Sequence, residues 1–200
     1  VVANNLSSFC KKVDLISYIG EKKESLSFIN KGRPKNCKYF FINKKKSPTI
    51  VKKRYVDPIS NSKVFSVYNI NDLELNKSQN RTLLRIIKNR LSKSNLTICL
   101  DYGHGLINQS ISKYLSKNSN FFSLNAQINS ANAGFHPLDK HFWANCLIIN
   151  ETELMYELRN RDKNIEKLIR ILSKKRKFDI IFVTRGNSGS VLYKTKTKEF

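Results

Sequence analysis

The segment Leu96–Gly105 (LTICLDYGHG) decides the fold that this sequence predicts, because an apolar run ends in an acid and a glycine-flanked turn. Two later segments repeat the arrangement: Cys146–Asn150 (CLIIN) leads into acidic residues, and Asp179–Val183 (DIIFV) leads into residues 184–189 (TRGNSG). Apolar runs that alternate with helical patterns are typical of parallel strands in α/β proteins. Ligands of such sheets bind at the carboxyl ends of the strands, so these polar residues predict a site.

Length and composition indicate one globular domain. The chain has 200 residues, 40% of them hydrophobic, and this excludes a disordered chain. The net charge of +22 raises the possibility of a nucleic-acid surface. Lysine is spread along the whole chain together with Asn, Ile and Ser, however, so we favour solvated charge, including the runs 44–46 and 174–177.

The cysteines and histidines show no spacing typical of a zinc site. Cys99 and Cys146 lie in predicted strands, where they are expected to be core residues in a reducing compartment. With neither a signal peptide nor a membrane-spanning run, the sequence predicts a cytoplasmic protein that makes no membrane contact. Because the chain starts at Val1 without Met and stops at Phe200 just after a strand, we expect it to be a piece of a longer chain.

Hydrophobic periodicity predicts an α/β fold with a mostly parallel sheet. The predicted helices are Ala3–Cys10, Glu21–Phe28, a helix ending near Ser94, Ile107–Leu115, a short segment around Lys140–Trp143, Glu151–Arg159 and Asn164–Leu172; the predicted strands are Val13–Ile19, Tyr39–Asn43, Thr49–Val56, Lys63–Tyr68, Leu96–Leu100, Phe121–Leu124, Cys146–Ile149, Asp179–Val183 and Ser190–Lys194. We expect one domain over 1–200, with a β-rich lid at 37–70 whose last two strands form a hairpin.

Lys52 and Arg54 alternate with Val51 and Tyr55 in the second lid strand, so they lie on one face. Two cations side by side can clamp an anionic ligand. They can equally protect an exposed strand from pairing with another chain. Both interpretations stay open.

The residues that follow the next two strands offer groups for a polar ligand. Asp101 is either the wall of a sugar or phosphate pocket or the cap of the following helix. Gly103 lets the backbone approach a ligand closely, and His104 is expected to be exposed. Asn125 begins an amide cluster with Gln127, Asn129 and Asn132, and amides match hydroxyl-rich ligands.

The last two strand ends predict sites for a cation and an anion. Asn150 and Glu153 offer oxygen ligands suited to Mg²⁺, and the same spacing forms a capping box at a helix start. The segment from Thr184 to Gly189, with Gly186 between them, can form a nest of backbone N–H groups for phosphate. It can also be a simple glycine turn between strands.

Taken together, these motifs resemble the PfkB/ribokinase-like carbohydrate kinase family, closest to its heptose-phosphate kinase branch. The resemblance rests on segments in the family order: Ala3–Leu6 (ANNL), Pro48–Arg54 (PTIVKKR), Asp101–Gly105 (DYGHG), Asn150–Glu153 (NETE) and Thr184–Gly189 (TRGNSG). In DYGHG, His104 replaces the lysine of the family motif. The Gly-Ala-Gly-Asp stretch that carries the family's catalytic base does not occur, and we expect it beyond Phe200.

The resemblance implies a three-layer α/β/α sandwich with a small β lid, and ATP-dependent phosphoryl transfer to a sugar or sugar phosphate. It implies nucleotide binding by Thr184, Gly186 and Gly189, and Mg²⁺ binding by Asn150 and Glu153.

The substrate contacts that it implies are Lys52, Arg54, Asp101, Gly103, His104 and Asn125. A homodimer through the lid and a fused nucleotidyltransferase domain are further expectations. Without the base, we expect no kinase turnover from these residues alone. Two alternatives remain: a basic nucleic-acid-binding module and a catalytically inactive scaffold.

Overall fold

A computed structural model describes residues 1–22, 24–127 and 138–200. These residues divide into two compact units. The single domain expected over 1–200 stays a prediction. The N-terminal unit comprises Val1–Arg90 and His104–Leu106, and the C-terminal unit comprises Leu91–Gly103 and Ile107–Phe200. Within the described residues, no helix is both long and apolar enough to cross a membrane.

The N-terminal unit contains a parallel pair of strands. Helix α1 (Val2–Ser7) precedes β1 (Val13–Ile19), and α2 (Glu24–Lys31) leads to β2 (Cys37–Asn43). The two strands pair along their whole length, from Val13 with Cys37 to Ile19 with Asn43. The first strand of the predicted lid therefore pairs with β1, and its Cys37 and Ile42 are buried, while the lid at 37–70 stays a prediction.

Strands β3 (Val51–Val56) and β4 (Lys63–Asn69) form the predicted antiparallel hairpin, which we call the hairpin arm. Its turn is held by Asp57, whose Oδ1 accepts hydrogen bonds from the N–H groups of Ile59 at 2.7 Å and Ser60 at 3.2 Å. These two backbone donors lower the pKa of Asp57. The arm is thus organised by its own turn and strand pairing.

Helix α3 (Lys77–Leu91) follows the arm. A reciprocal cap starts it: Asn76 accepts from the N–H of Gln79, and Gln79 accepts from the N–H of Asn76, both at 2.9 Å. Its buried face carries Leu83 and Ile87 at helical spacing. The apolar Leu83–Leu84 pair fits either of two registers by its sequence, and the structure buries Leu83.

The C-terminal unit is built on one sheet in which the strands lie in chain order. These strands are β5 (Thr97–Asp101), β6 (Phe122–Ala126), β7 (Trp143–Asn150), β8 (Lys177–Thr184) and β9 (Ser190–Lys194). The first four are mutually parallel and β9 is antiparallel to β8. The mostly parallel sheet is therefore confirmed, and β9 has the predicted bounds.

Three helices connect or flank these strands: α4 (Gln109–Asn118), α5 (Glu151–Leu158) and α6 (Ile165–Lys175). Helix α6 forms here for two reasons. Asn164 caps its start by accepting from the N–H of Lys167 at 3.0 Å, and the apolar stripe of the helix, including Leu168 and Leu172, is fully buried. The predicted helical segment around Lys140–Trp143 is corrected. One 3₁₀ turn spans Leu138–Lys140, and Trp143 begins β7.

The core of the C-terminal unit is formed by side chains of the sheet, including Leu124, Leu147 and Ile181, all with no exposed area. Cys99 is also buried, and burial together with the charge of Asp101 raises the pKa of its thiol. Cys99 is therefore the predicted core residue, whereas Cys146 is only partly buried.

Candidate functional site

Four polar residues lie at the carboxyl ends of neighbouring parallel strands in the C-terminal unit. Asp101 ends β5, and Asn125 is the next-to-last residue of β6. Asn150 ends β7 and is paired with Thr184, which ends β8. Adjacent strands lie about 4.8 Å apart, so the four positions form a row along one edge of the sheet. We call this row the strand-end rim.

Asp101 is the most enclosed member of the rim, with 3% of its surface exposed. Its Oδ2 lies 2.7 Å from Nζ of Lys140 and 2.8 Å from Nε2 of His141. Its Oδ1 accepts a hydrogen bond from the N–H of Gly103 at 3.0 Å. On the far side of the imidazole, Nδ1 of His141 lies 2.8 Å from Oγ of Ser112. A buried chain thus runs from Ser112 through His141 to Asp101.

Charge balance assigns the protons in this chain. The ammonium of Lys140 neutralises the carboxylate of Asp101, so His141 needs no charge of its own. A neutral His141 donates from Nε2 to Asp101 and accepts at Nδ1 from the hydroxyl of Ser112, which satisfies both ring nitrogens. His141 and Ser112 have no exposed area, so the hydroxyl of Ser112 is not presented to a substrate as a nucleophile and these two residues support Asp101 from inside the protein.

These contacts change the interpretation of Asp101. The predicted alternative as a helix cap is wrong, because Asn108 caps α4 by accepting from the N–H of Ile111 at 3.0 Å. Both carboxylate oxygens of Asp101 are engaged within the protein. Gly103 has φ +71, a conformation in which glycine is favoured. Sugar binding by Asp101 and Gly103 stays a prediction.

Asn125 is half-buried, and its Nδ2 donates to the carbonyl of Ile148 at 2.9 Å. This bond crosses from β6 to β7 and fixes the amide at the rim. The N–H of Gln127 donates to the carbonyl of Asp101 at 2.8 Å. The other two members of the predicted amide cluster, Asn129 and Asn132, lie outside the described residues.

The Asn150–Glu153 pair forms a complete capping box at the start of α5. Oδ1 of Asn150 accepts from the N–H of Glu153, and Oε2 of Glu153 accepts from the N–H of Asn150, both at 2.9 Å. Glu153 is 4% exposed. Within the described ranges, no group of three or more His, Cys, Asp or Glu side chains could hold a metal ion. The oxygen donors of this pair fit Mg²⁺ only as a cation that keeps most of its waters.

In the loop after β8 both glycines have positive φ, +55 at Gly186 and +78 at Gly189. It is closed internally: the N–H of Arg185 donates to the carbonyl of Gly189 at 2.8 Å, and the N–H of Gly189 donates to the carbonyl of Gly186 at 3.1 Å. A Cβ on Gly186 would meet no atom within 4 Å, so the space over this residue is open. Arg185 also binds Glu151, with Nε 3.0 Å from Oε2.

The remaining predicted residues lie in the N-terminal unit. Lys52 and Arg54 share one face of β3, and Nζ of Lys52 lies 5.4 Å from the ring centre of Tyr68 on the paired strand. His104 is 7% exposed, so the expectation of an exposed histidine is wrong. Its Nδ1 lies 2.8 Å from Oδ1 of Asp72, because the loop carrying it packs against the segment after β4.

Sequence reasoning missed four residues that organise these units: Lys44, Ser112, Lys140 and His141. Ser112 directly follows Ile111, and both are buried in α4; a buried serine of this kind signals a polar partner. Lys140 and His141 carry no such signal, because their partner Asp101 is about 40 residues earlier. Lys44 was assigned to a solvated run, and the structure corrects this because only 3% of it is exposed.

No family model and no curated protein matches the chain. Solved structures do match its fold. A ribokinase from Giardia lamblia has a TM-score of 0.70 at 16% identity, over 93% of this chain and 57% of that one. Phosphofructokinase-2 from Escherichia coli, in complex with potassium, has a TM-score of 0.69 at 12% identity, over 96% and 62%. Ribokinase from Arabidopsis thaliana, complexed with ribose and ATP, has a TM-score of 0.60 at 15% identity, over 92% and 58%.

These similarities establish a mixed α/β fold resembling that of ribokinase-type sugar kinases. At identities of 12 to 16% they carry the fold alone. The chain spans roughly three fifths of the length of these structures, from 57% to 62%.

Proposed function

We propose that this chain is part of a carbohydrate kinase that transfers a phosphoryl group from ATP to a hydroxyl of a sugar or sugar phosphate. The observation that supports this most directly is the strand-end rim. It lines up acid, amide and hydroxyl groups at the carboxyl ends of parallel strands, where α/β proteins bind ligands. The resemblance of the fold to ribokinase-type structures supports the same activity. The proposed substrate is a heptose phosphate, as in the heptose-phosphate kinase branch of that family.

We propose that Thr184, Gly186 and Gly189 bind the nucleotide phosphates. The open space over Gly186 supports this, because a phosphate can approach the backbone there without a steric conflict. Among similar structures, the Arabidopsis thaliana ribokinase is complexed with ribose and ATP. Arg185 within this loop is held by Glu151, with Nε 3.0 Å from Oε2.

Asn150 and Glu153 are the proposed magnesium residues, through coordinated water or the nucleotide. Bound Mg²⁺ would neutralise charge on the transferring phosphoryl group. The capping box keeps both side chains in fixed positions, and this pre-organisation supports the assignment. No residue of this chain is assigned as the base that accepts the hydroxyl proton.

For the sugar side we propose Asp101, Gly103 and Asn125 in the C-terminal unit. In the N-terminal unit the proposed substrate contacts are Lys52, Arg54 and His104.

A homodimer through the hairpin arm is part of the proposal. It is supported by the exposed apolar face of the arm, where the rings of Tyr55 and Phe65 stack at 4.3 Å and are each about half exposed. We also propose that the whole protein carries a fused nucleotidyltransferase domain and that it is located in the cytoplasm.

Nucleotide binding tests this function with a charge-matched pair of variants. Gly186→Asp places a carboxylate over the proposed phosphate loop, and Gly32→Asp adds the same charge at a glycine whose Cβ also meets nothing within 4 Å. We expect Mg·ATP affinity, measured by calorimetry, to fall at least tenfold in Gly186→Asp and by less than twofold in Gly32→Asp.

A basic nucleic-acid-binding module predicts a different pattern. Both variants would then weaken binding to duplex DNA equally, with a steep dependence on salt, and neither would change Mg·ATP binding selectively. That result, or no measurable Mg·ATP binding by the parent chain, would contradict the proposed kinase function.

A further inference from the structure

Lys44 is a buried cation in the N-terminal unit, located one residue after β2. Its side chain is 3% exposed, although it begins the run Lys44-Lys45-Lys46, whose other two lysines are exposed. Nζ donates to the carbonyls of Asn71 and Leu73, each at 2.6 Å, and lies 4.8 Å from the ring centre of Tyr18. Burial lowers the pKa of its ammonium, and the charge of Asp72 partly opposes that effect.

The two carbonyls belong to the segment 70–75, which connects β4 to α3. The same segment is fixed from its other side: the N–H of Leu75 donates to the carbonyl of Gly105 at 3.2 Å. The backbones approach so closely that a Cβ on Gly105 would lie 2.1 Å from the oxygen of Leu73. The carbonyl of Leu73 is therefore enclosed between Lys44 and the backbone of Gly105.

The incoming side of the hairpin arm is anchored nearby. Gly20, directly after β1, donates its N–H to Oγ1 of Thr49 at 3.0 Å, and Glu21 donates its N–H to the carbonyl of Ser47 at 3.1 Å. The segments 44–49 and 70–75 thus connect the arm to the rest of the unit. Both segments are bound at the carboxyl ends of β1 and β2. We call these two segments the arm base.

The arm itself is open to solvent beyond this base. Most residues of β3 and β4 are exposed, among them Val51, Tyr55 and Phe65 at 42 to 51%. A two-stranded hairpin with both faces largely exposed gains little rigidity from packing. Its direction relative to the β1–β2 sheet therefore depends on the few bonds of the arm base.

We propose that Lys44 is a positioning residue that sets the direction of the hairpin arm. A single side chain directly after β2 binds two carbonyls of the outgoing segment, so its ammonium links the end of the β1–β2 sheet to the arm. Among the described residues, two carbonyls and an aromatic ring bind this cation directly, and all three lie in the N-terminal unit. The link is thus local and separable from the folding of the β1–β2 sheet. It does not depend on the proposed kinase activity.

The first test compares Lys44→Met with Lys45→Met, its exposed neighbour, so both variants lose one positive charge. In hydrogen–deuterium exchange, we expect Lys44→Met to accelerate exchange in residues 70–75 at least tenfold. Amides of β1 and β2 should change by less than twofold, and Lys45→Met should match the parent. Equal acceleration across the whole N-terminal unit would make Lys44 an ordinary stabilising residue and overturn the proposal. So would no acceleration.

A distance measurement tests the arm's direction itself. Spin labels on unnatural amino acids at Ile59, the 92% exposed arm tip, and Phe28, 83% exposed in α2, report the arm against its own unit. We expect the distance distribution to become at least twice as wide in Lys44→Met and to stay unchanged in Lys45→Met. An unchanged width in both variants would contradict the positioning role.

Asp72 gives a second variant should Lys44→Met fail to fold. Asp72→Asn keeps a side-chain oxygen for His104 but removes the negative charge that favours the ammonium of Lys44. We expect Asp72→Asn to accelerate exchange in 70–75 about threefold relative to Glu74→Gln, an exposed neighbour with the same loss of charge. Equal rates in these two variants would overturn the proposal.

Discussion

The two units each bury a charge, and they satisfy it in different ways. In the C-terminal unit the carboxylate of Asp101 has a direct counter-charge, Lys140, and a hydrogen-bonded imidazole, His141. In the N-terminal unit the ammonium of Lys44 is bound by two backbone carbonyls, and Asp72 contributes only as a nearby charge. A buried charge that loses its counter-ion is left with a large desolvation cost. Substitution of Lys44 removes the buried charge itself, whereas substitution of Lys140 leaves the charge of Asp101 without its counter-ion.

The two ways of binding a buried charge indicate two structural roles. The cluster around Asp101 joins β5, α4 and the 3₁₀ turn at Leu138–Lys140, so it fixes the strand-end rim rigidly. Lys44 joins the β1–β2 sheet to a connecting segment, where a weaker link permits adjustment. We therefore expect removal of the counter-ion in the C-terminal unit to have the larger effect on stability.

Lys140→Met should give the largest loss. It leaves the carboxylate of Asp101 buried with only neutral donors, and breaking a buried pair in this way costs about 3 kcal/mol of unfolding free energy. Urea unfolding followed through Trp143, the one tryptophan of the chain, measures it in the unit concerned. The exposed Lys113→Met is the control and should stay within about 0.5 kcal/mol. A loss below about 1 kcal/mol would show that His141 alone balances Asp101.

Ser112→Ala should give a smaller loss. It removes the hydroxyl that donates to Nδ1 of His141, and a buried acceptor without its donor costs about 1 to 2 kcal/mol. Ser173→Ala is the matched control, because its hydroxyl makes only an exposed bond to the carbonyl of Arg170 within α6. The same fluorescence measurement applies. Equal effects of the two substitutions would mean that the chain beyond His141 contributes nothing to the cluster.

The order of strands was predictable because local patterns encode it. Val13–Ile19 and Ser190–Lys194 have their predicted bounds, since a turn residue ends or begins each apolar run. The capping box at Asn150 was also readable, because both partners lie within four residues. The residue type at each strand end and its cap can therefore be predicted from a few neighbouring residues.

The partners of those strand ends were not predictable, because they depend on long-range packing. Asp101 contacts residues 39 and 40 positions away, and Lys44 contacts carbonyls 27 and 29 positions away. Gly105 illustrates the limit. The space that a Cβ would need there is filled by the backbone of Leu73, a close approach that the local sequence does not reveal.

The third and smallest expected effect is a pH dependence of stability, which comes from the buried charge of Lys44. Burial lowers the pKa of Lys44 below its usual 10.5, so between that lowered value and 10.5 the folded unit binds fewer protons than the unfolded chain. Stability from this group therefore rises with pH in that window. Burial and the charge of Asp72 raise the pKa of Tyr18, which faces Lys44 from β1, to about 12, so its contribution is lost between about 10 and 12.

The advantage of the parent chain over Lys44→Met should consequently grow as the pH rises from 7 to 10. Asp72, with His104 bound to it, is the acid beside Lys44. Urea unfolding followed by circular dichroism at pH 7, 8.5 and 10 measures the trend. Lys45→Met carries the same net charge and corrects for repulsion among the other lysines. A difference between the two variants that stays constant or shrinks with pH would mean that Lys44 carries no buried charge, and the comparison with Asp101 would fail.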